Sequence, residues 1–284
     1  MHSLSEFFTH PWPIAAVAGV AMLVEFISGW LSDDDTHDLK ETAASLTIAV
    51  INKTVGALTA GVTAVPLIWL HQFALFDIPA SNPAALVAAF FLTDLCYYWH
   101  HYAMHKVRLL WASHSVHHSP TRLNLTAAVR LGLGGHVAGG FLFYAPLVLI
   151  GFSPLVIYGM LALGLIYQLF LHPAHAPDLG PLEYVLNTPK HHHVHHASNT
   201  ECLDKNFGGV FIIFDRMFGT YAEAPDNEPL RFGLKAADMN TNNPVVILFH
   251  EWTAIIRDAV ASRSVAAAFR AIFSMKRKPK RDAA

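Results

Sequence analysis

Residues 100–118 read HHYAMHKVRLLWASHSVHH and follow directly on the apolar run Pro83–Trp99. They contain six of the chain's 19 histidines. His101 and His105 are four positions apart at the end of an apolar helix, so both imidazoles lie on one helical face about one turn apart. Two imidazoles on one face can bind one ion. The stretch therefore predicts that an apolar helix carries metal ligands at its end.

Later histidines repeat this kind of spacing. An HxxHH pattern, whose three histidines share a helical face, occurs twice, and another histidine ends the last apolar run. The predicted metal ligands are His101, His105, His114, His117, His118, His172, His175, His192, His195 and His196. These imidazoles exceed what one ion can use, so two metal ions are expected. Imidazole suits zinc, copper, iron and nickel alike, and the residue types alone do not select among them.

Asp94 lies seven residues before His101, on the same face of the predicted helix. A carboxylate at this position could accept the free ring N–H of a ligand histidine and thereby fix its tautomer. We therefore expect Asp94 to support the metal site without binding the ion. The alternative is a helix-end carboxylate with no such role.

Composition places the chain in the membrane class. Its 284 residues are 53% hydrophobic and only 14% charged, with a mean hydropathy of +0.35. A membrane-spanning helix needs about 20 mainly apolar residues. The candidate runs are Pro11–Leu31, Leu46–Leu70, Pro83–Trp99, Gly134–Ile150 and Pro154–Leu171. The sequence thus predicts one all-α integral-membrane domain over residues 1–284, a multi-pass bundle of about four to five spans with a histidine-rich helical cap. The alternative makes some runs buried helices of a soluble core.

The distribution of basic residues predicts the orientation of this bundle. With five crossings, residues 32–45, 100–133 and 172–284 share one side, and all 19 Lys and Arg lie there or near that membrane edge. The positive-inside rule places this side, with the histidines, in the cytosol of a bacterial inner membrane or endoplasmic reticulum. Residues 256–284 read as a basic amphipathic tail suited to an anionic membrane surface. The net charge of −2 gives no reason to expect nucleic acid.

Three segments closely resemble the fatty acid hydroxylase/sterol desaturase superfamily in order and spacing. They are Asp94-Leu-Cys-Tyr-Tyr-Trp-His-His-Tyr-Ala-Met-His105, Trp111-Ala-Ser-His-Ser-Val-His-His-Ser119 and Thr188-Pro-Lys-His-His-His-Val-His-His196, together with His172. Residues 204–209, 214–220 and 250–252 are similar to the branch that includes alkylglycerol monooxygenase and bacterial sterol desaturase-like proteins. The resemblance covers residues 85–255, which we interpret as the catalytic region.

The resemblance implies a non-haem diiron centre that activates O₂ to hydroxylate or desaturate a membrane lipid, with zinc possible as a substituted metal. It implies that all of the predicted histidines except His175 are iron ligands. In related enzymes a second histidine can follow the one that corresponds to His172, but at a spacing slightly different from that of His175. The sequence has no haem-attachment motif and no nucleotide-binding glycine fingerprint. Electrons are therefore expected from a separate cytochrome b5-like or ferredoxin-type protein. The alternatives are a zinc-dependent membrane hydrolase and a non-catalytic metal-binding or transport protein.

Overall fold

The computed structural model describes residues 12–135, 138–234 and 241–274. These residues form helices and no strand, apart from one isolated bridge between Leu186 and Phe211. The helices are α1 (Trp12–Leu31), α2 (Leu39–His71), α3 (Pro83–Lys106), α4 (Arg108–His114), α5 (Leu125–Ala128), α6 (Ala145–Ile150), α7 (Pro154–Leu169), α8 (Pro189–His196), α9 (Ile213–Phe218), α10 (Pro244–Val260) and α11 (Val265–Phe273). Short 3-10 turns lie at Gly140–Tyr144, Gly180–Tyr184 and Thr200–Cys202. The all-α prediction is confirmed for the described residues.

Helices α1 and α2 are long and apolar enough to cross a membrane. Their apolar side chains are widely exposed; Val20 is 61% and Leu58 is 81% accessible. Exposed apolar surface on this scale is unfavourable in water and is covered when lipid surrounds the helices. This surface supports the prediction that the chain is a membrane protein.

Helix α3 runs past the predicted end of its apolar run at Trp99 and stops at Lys106. It starts sharply, because the Asn82 side chain accepts the first free N–H groups and Pro83 occupies the first turn. Helix α7 has 16 residues, which gives a length of about 24 Å. Within the described ranges, only α1 and α2 meet the length and hydropathy expected of a span. The predicted count of four to five spans therefore stays a prediction.

The run Gly134–Ile150, predicted as a span, does not form one continuous helix. Its described part contains the 3-10 turn Gly140–Tyr144 and the six-residue α6. Gly134 and Gly139 adopt φ values of 90° and 87°, which no right-handed helix contains. The run is apolar because its side chains, Tyr144 and Leu147 among them, pack into a core between α2, α3 and α7.

Glu25 connects the C-terminal half of α1 to the start of α5 and to the segment that follows α7. Its Oε1 accepts the N–H of Ala174 at 2.7 Å, and its Oε2 accepts the N–H of Leu125 at 2.8 Å. His37 Nε2 lies 3.4 Å from the same Oε2. An ionisable residue inside an apolar helix is costly unless it is paired, and these contacts explain how Glu25 is accommodated.

The C-terminal helices pack against α4 through one arginine. Arg108 Nε donates to Glu251 at 2.7 Å, and its Nη1 donates to Asp258 at 2.7 Å. Helix α10 continues through residue 256, where the basic tail was predicted to begin. The most basic part of that predicted tail, Lys276–Arg281, lies outside the described residues.

Candidate metal centre

Nine of the ten predicted ligand histidines lie in two buried groups. In each group the candidate ligand atoms all lie within 4.8 Å of one another. Site A consists of His101, His105, His114, His118 and His195. Site B consists of His117, His172, His192 and His196. The structure thus arranges the histidines as two adjacent sites.

Both HxxHH boxes contribute to both sites. His117 belongs to site B and its neighbour His118 to site A; in the second box, His195 belongs to site A and His196 to site B. Successive residues of an α-helix project about 100° apart, so α8 directs adjacent imidazoles to different sites. A single short helix therefore holds ligands of both sites in a fixed relation.

Backbone carbonyls set the orientation of several imidazoles. A carbonyl can only accept a hydrogen bond, so a ring nitrogen that faces one carries the proton. The other ring nitrogen then has a lone pair free for a metal ion. The Nδ1 donors and their acceptors are His101 with Phe207, His172 with Gln168, and His195 with Lys205, each at 2.8 Å. These contacts direct the Nε2 lone pairs into the two sites.

The facing Nε2 atoms suit cations. In site A, the Nε2 atoms of His101 and His114 are 2.9 Å apart; in site B, those of His172 and His192 are also 2.9 Å apart. Two nitrogens bound at right angles to one ion, each about 2.1 Å from it, would lie about 3 Å apart. The buried Nε2 of His195 has no hydrogen-bond partner among the described residues. The donor set fits two metal ions.

Burial keeps these imidazoles neutral. Desolvation, with help from neighbouring histidines, lowers the pKa of His114 and His118 well below its ordinary value. Burial likewise lowers the pKa of His117 to about 4. Neutral imidazole is the form that binds metals. At neutral pH, the sites are therefore ready to bind ions without first releasing protons.

His175 does not join either site. Its side chain is 81% exposed, and its Nε2 lies 2.7 Å from Asp34 Oδ2. Helix α7 has already ended at Leu169, and Pro173 follows His172. The chain is therefore no longer helical at His175, and the exposed imidazole lies outside both sites.

Asp94 also differs from its prediction, because it does not accept from a ligand histidine. Its buried carboxylate accepts the backbone N–H of Val210 at 3.0 Å and that of Phe211 at 2.9 Å. His101 instead donates to the Phe207 carbonyl. Asp94 therefore holds the backbone near Phe207, whose carbonyl in turn orients His101, and it does not contact a ligand histidine directly.

A second buried carboxylate holds the same backbone. Asp215 accepts the N–H of Phe207 at 2.7 Å and that of Gly208 at 2.8 Å. We call residues 207–211 the carboxylate-bound loop. At Gly209, an added Cβ would lie only 2.5 Å from Asp94 Oδ1, so glycine permits the close approach. Asp215 lies within residues 214–220 of the family resemblance, but its spacing gave no sign of this role.

The carboxylate beside a ligand histidine is Asp204. Its Oδ1 lies 3.5 Å from His105 Nδ1, and its Oδ2 accepts from Lys106 Nζ at 2.6 Å. Burial opposes ionisation of Asp204, but hydrogen bonds from His105 and Lys106 outweigh it and hold its pKa below the usual value. Asp204 thus takes the position that sequence reasoning gave to Asp94. The sequence feature that could have indicated Asp204 is its position in residues 204–209, which resemble the family branch.

Replacing Asp204 by asparagine is expected to weaken metal binding at site A by about 10-fold or more, as losses of such supporting groups commonly do. The neutral amide is a weaker acceptor for His105 and loses the pairing with Lys106. Spectroscopic titration of the metal-free protein with Co²⁺ measures the affinity. Asp226→Asn is the control, because Asp226 is exposed and belongs to neither site. Unchanged site A affinity in Asp204→Asn would refute the assigned role.

A cavity of about 390 Å³ has Ala174 in its wall, two residues along the chain after the site B histidine His172, and we call it the cavity beside site B. The ring of Phe232, which also lines it, lies 5.9 Å from the ring of His193. Arg122 and Asp35 form an ion pair of 2.6 Å in the wall. The remaining lining residues are Thr36, Thr121 and Leu123. The lining is therefore partly polar, and the charges of Arg122 and Asp35 balance each other.

Comparison with known proteins gives a consistent set of relatives. The fatty acid hydroxylase family profile matches residues 86–220. Alkylglycerol monooxygenase from Homo sapiens is 36% identical over 239 residues, covering 82% of this chain and 52% of that protein. The Danio rerio protein of the same name is 37% identical over 216 residues, 75% of this chain and 47% of that protein. Ornithine lipid hydroxylase from Rhizobium tropici is 27% identical over 141 residues, 49% of this chain and 42% of that protein.

The chain spans about half the length of the curated relatives it matches. No solved structure matches the chain significantly. The resemblance inferred from the histidine boxes, including the branch, is confirmed by the family match and these relatives.

Proposed function

Because the chain belongs to the fatty acid hydroxylase/sterol desaturase superfamily, we propose that it is a membrane oxygenase that binds two iron ions and uses O₂ to hydroxylate or desaturate a lipid. The observation that carries the proposal is the pair of adjacent all-imidazole sites built from shared HxxHH boxes. When bound, the two irons would activate O₂, the oxidant needed to break an unactivated C–H bond, which no side chain can do.

The side chains around the sites orient the ligands and limit access of water. The ring of Trp111 lies 5.2 Å from that of His105 and 5.6 Å from that of His118. On another side, the Phe207 ring lies 5.2 Å from His105. An apolar shell of this kind controls solvent access to a metal site. It suits oxidation of a lipid carbon, where water would compete for reactive species.

A zinc hydrolase is a less suitable function for this arrangement. Catalytic zinc sites typically use about three protein ligands and keep one position open for water. Sites A and B contain nine imidazoles between them. For a non-catalytic transport protein, ligands spread along the depth of the spans would be expected, whereas these histidines converge at one place.

The substrate in this proposal is a membrane lipid with a small polar headgroup. The named relatives act on an alkylglycerol and an ornithine lipid, and the cavity beside site B offers room for such a headgroup. Thr121 and Arg122 can form hydrogen bonds there. Because Asp35 already balances the Arg122 charge, an uncharged glycerol headgroup binds without disrupting the ion pair.

The proposal includes a multi-pass topology with α3 and α7 as spans and both metal sites on the cytosolic side. Between these spans, residues 134–150 cross back although they are not one continuous helix, since the Leu75 and Phe76 N–H groups after α2 donate to the carbonyls of Leu149 and Ile150. The basic residues support this orientation, since all 19 lie in inner segments or near the inner membrane edge of the proposed topology. A separate cytochrome b5-like or ferredoxin-type protein supplies the electrons. Site A and site B lie in the part of the chain that this donor can approach from the cytosol.

The function is tested with iron-loaded protein in lipid nanodiscs, supplied with ¹⁸O₂, a reductant and a panel of alkylglycerols, sterols and acyl lipids. We expect O₂ consumption and a product that carries ¹⁸O or a new double bond, detected by mass spectrometry. Iron-loaded protein that oxidises no lipid, beside zinc-loaded protein that hydrolyses an ester or amide lipid, would overturn the proposal in favour of a hydrolase.

Filling the cavity beside site B is expected to impair substrate binding without removing metal. Ala174→Phe places a ring in the cavity, and we expect KM for an alkylglycerol to rise about 10-fold or more, the usual scale for steric exclusion in a pocket. Ala176→Phe is the matched control, because Ala176 lies on the same segment outside the lining. If the two variants had equal KM values and wild-type metal content, the headgroup would not bind in this cavity.

A further inference from the structure

The segment that follows the carboxylate-bound loop lies along α3. The Phe211 and Phe214 rings lie 5.4 and 5.1 Å from the Phe91 ring, and the Phe218 ring lies 4.9 Å from that of Trp99. Phe91 and Trp99 are eight residues apart, which corresponds to about 12 Å along a helix. Residues 211–218 therefore lie beside the part of α3 that the proposed topology puts in the membrane.

The non-helical backbone of this region has its hydrogen bonds satisfied from within the protein. Asn187 N–H donates to Val210 O at 2.7 Å, and Ile212 N–H donates to Val185 O at 3.0 Å. Asp94 accepts two further N–H groups of the same stretch. In hydrocarbon no water is present to bind free backbone groups, so irregular backbone there requires such internal partners. The carboxylate of Asp94, in the middle of an apolar helix, supplies them.

The outer surface of this region is apolar and exposed. We call the side chains that form it the interfacial patch; they are Leu182 (54% exposed), Tyr184 (70%), Val185 (47%), Met217 (69%) and Phe218 (43%). Arg216 lies over the Tyr221 ring at 3.8 Å and over the Tyr184 ring at 5.7 Å. Aromatic residues with a neighbouring arginine are typical of membrane interfaces, where apolar stems are buried and charged ends reach water.

We infer that the interfacial patch is immersed in lipid. The segments that carry the patch, within residues 182–218, then enter the cytosolic leaflet as a re-entrant structure and support site A from there. The inference rests on the proposed topology, in which α3 is a span. Lipid is the occupant because the patch is continuous, through Phe218 and Trp99, with the exposed apolar side of α3, where Val87 is 72% accessible. A soluble partner protein would instead require the patch to face water.

Nitroxide spin labels on single introduced cysteines test the inference in protein reconstituted into liposomes. Met217→Cys and Tyr184→Cys report on the patch, Val87→Cys on the lipid-facing side of α3, and Asp226→Cys on an exposed acidic position. The four side chains are exposed, so the labels do not disturb packing. Wild-type protein treated with the same reagent measures labelling of the native Cys96 and Cys202.

We expect labels at Met217 and Tyr184 to collide more with O₂, which concentrates in lipid, than with a water-soluble nickel chelate, as at Val87. The label at Asp226 should show the reverse preference. If the patch labels behaved like the label at Asp226 while the label at Val87 remained in lipid, the patch would not be immersed in lipid, and the proposed function would be unaffected. If Val87 also faced water, the assignment of α3 as a span would fail, and the immersion with it.

Discussion

Replacing His117 by alanine is expected to weaken metal binding mainly at site B, whereas replacing its neighbour His118 should weaken it mainly at site A. The reason is that these consecutive residues belong to different sites. Each variant loses one imidazole from one site, and the affinity there should fall by more than the roughly 10–100-fold that loss of a mere supporting group costs. After dialysis against a chelator, each single variant should retain about half the wild-type metal, and the double variant almost none.

Metal content per chain is measured by mass spectrometry on protein reconstituted with ferrous iron under anaerobic conditions. His175→Ala is the matched control, since His175 is exposed and pairs with Asp34; it should retain wild-type metal content. Lipid oxidation should be lost in both single variants if both ions are required. Should His117→Ala and His118→Ala each deplete the two sites equally, the division into sites A and B would be wrong.

Removing the Asp215 carboxylate should produce the largest loss of stability. Asp215→Ala leaves the buried N–H groups of Phe207 and Gly208 without an acceptor, and it removes a 2.6 Å hydrogen bond from Thr220 Oγ1. Each buried unsatisfied donor costs about 1–3 kcal/mol. We therefore expect a total cost of roughly 3–6 kcal/mol, together with loss of metal from site A, because the Phe207 carbonyl holds His101.

Thermal unfolding in detergent, followed by circular dichroism, should show a decrease of about 10 °C or more in the transition temperature. Asp215→Asn keeps one carbonyl acceptor and should fall between the wild type and the alanine variant. Asp226→Ala, at an exposed position, should leave the transition unchanged. An Asp215→Ala protein with wild-type stability and metal content would show that the carboxylate-bound loop does not depend on Asp215.

The structure brings nine of the predicted histidines together, and helical periodicity, which is local, explains why the sequence could indicate them. His101 and His105, for example, share a face of α3 whatever the rest of the chain does. His175 follows His172 by three residues, but α7 has already ended there and the side chain is exposed. Hydropathy likewise gave no sign that glycines divide the run Gly134–Ile150.

The supporting carboxylates could not be assigned from spacing. Asp204 reaches His105 and Asp215 reaches the carboxylate-bound loop only after the chain between α8 and α9 has folded back on α3. Asp94 was singled out because it lies seven residues before His101 on the same helical face, but its partners, Val210 and Phe211, are distant in sequence. The division of each HxxHH box between two sites likewise depends on how α3, α4, α7 and α8 meet.

Because α8 holds neighbouring imidazoles in different sites, its helical geometry links the two sites. Successive side chains project about 100° apart on a helix, and this angle directs His195 to site A and His196 to site B. Insertion or deletion of one residue between His192 and His195 would rotate these ligands away from both sites at once. A change in the length of α8 would therefore affect both ions together, whereas substitution of a single histidine affects mainly one.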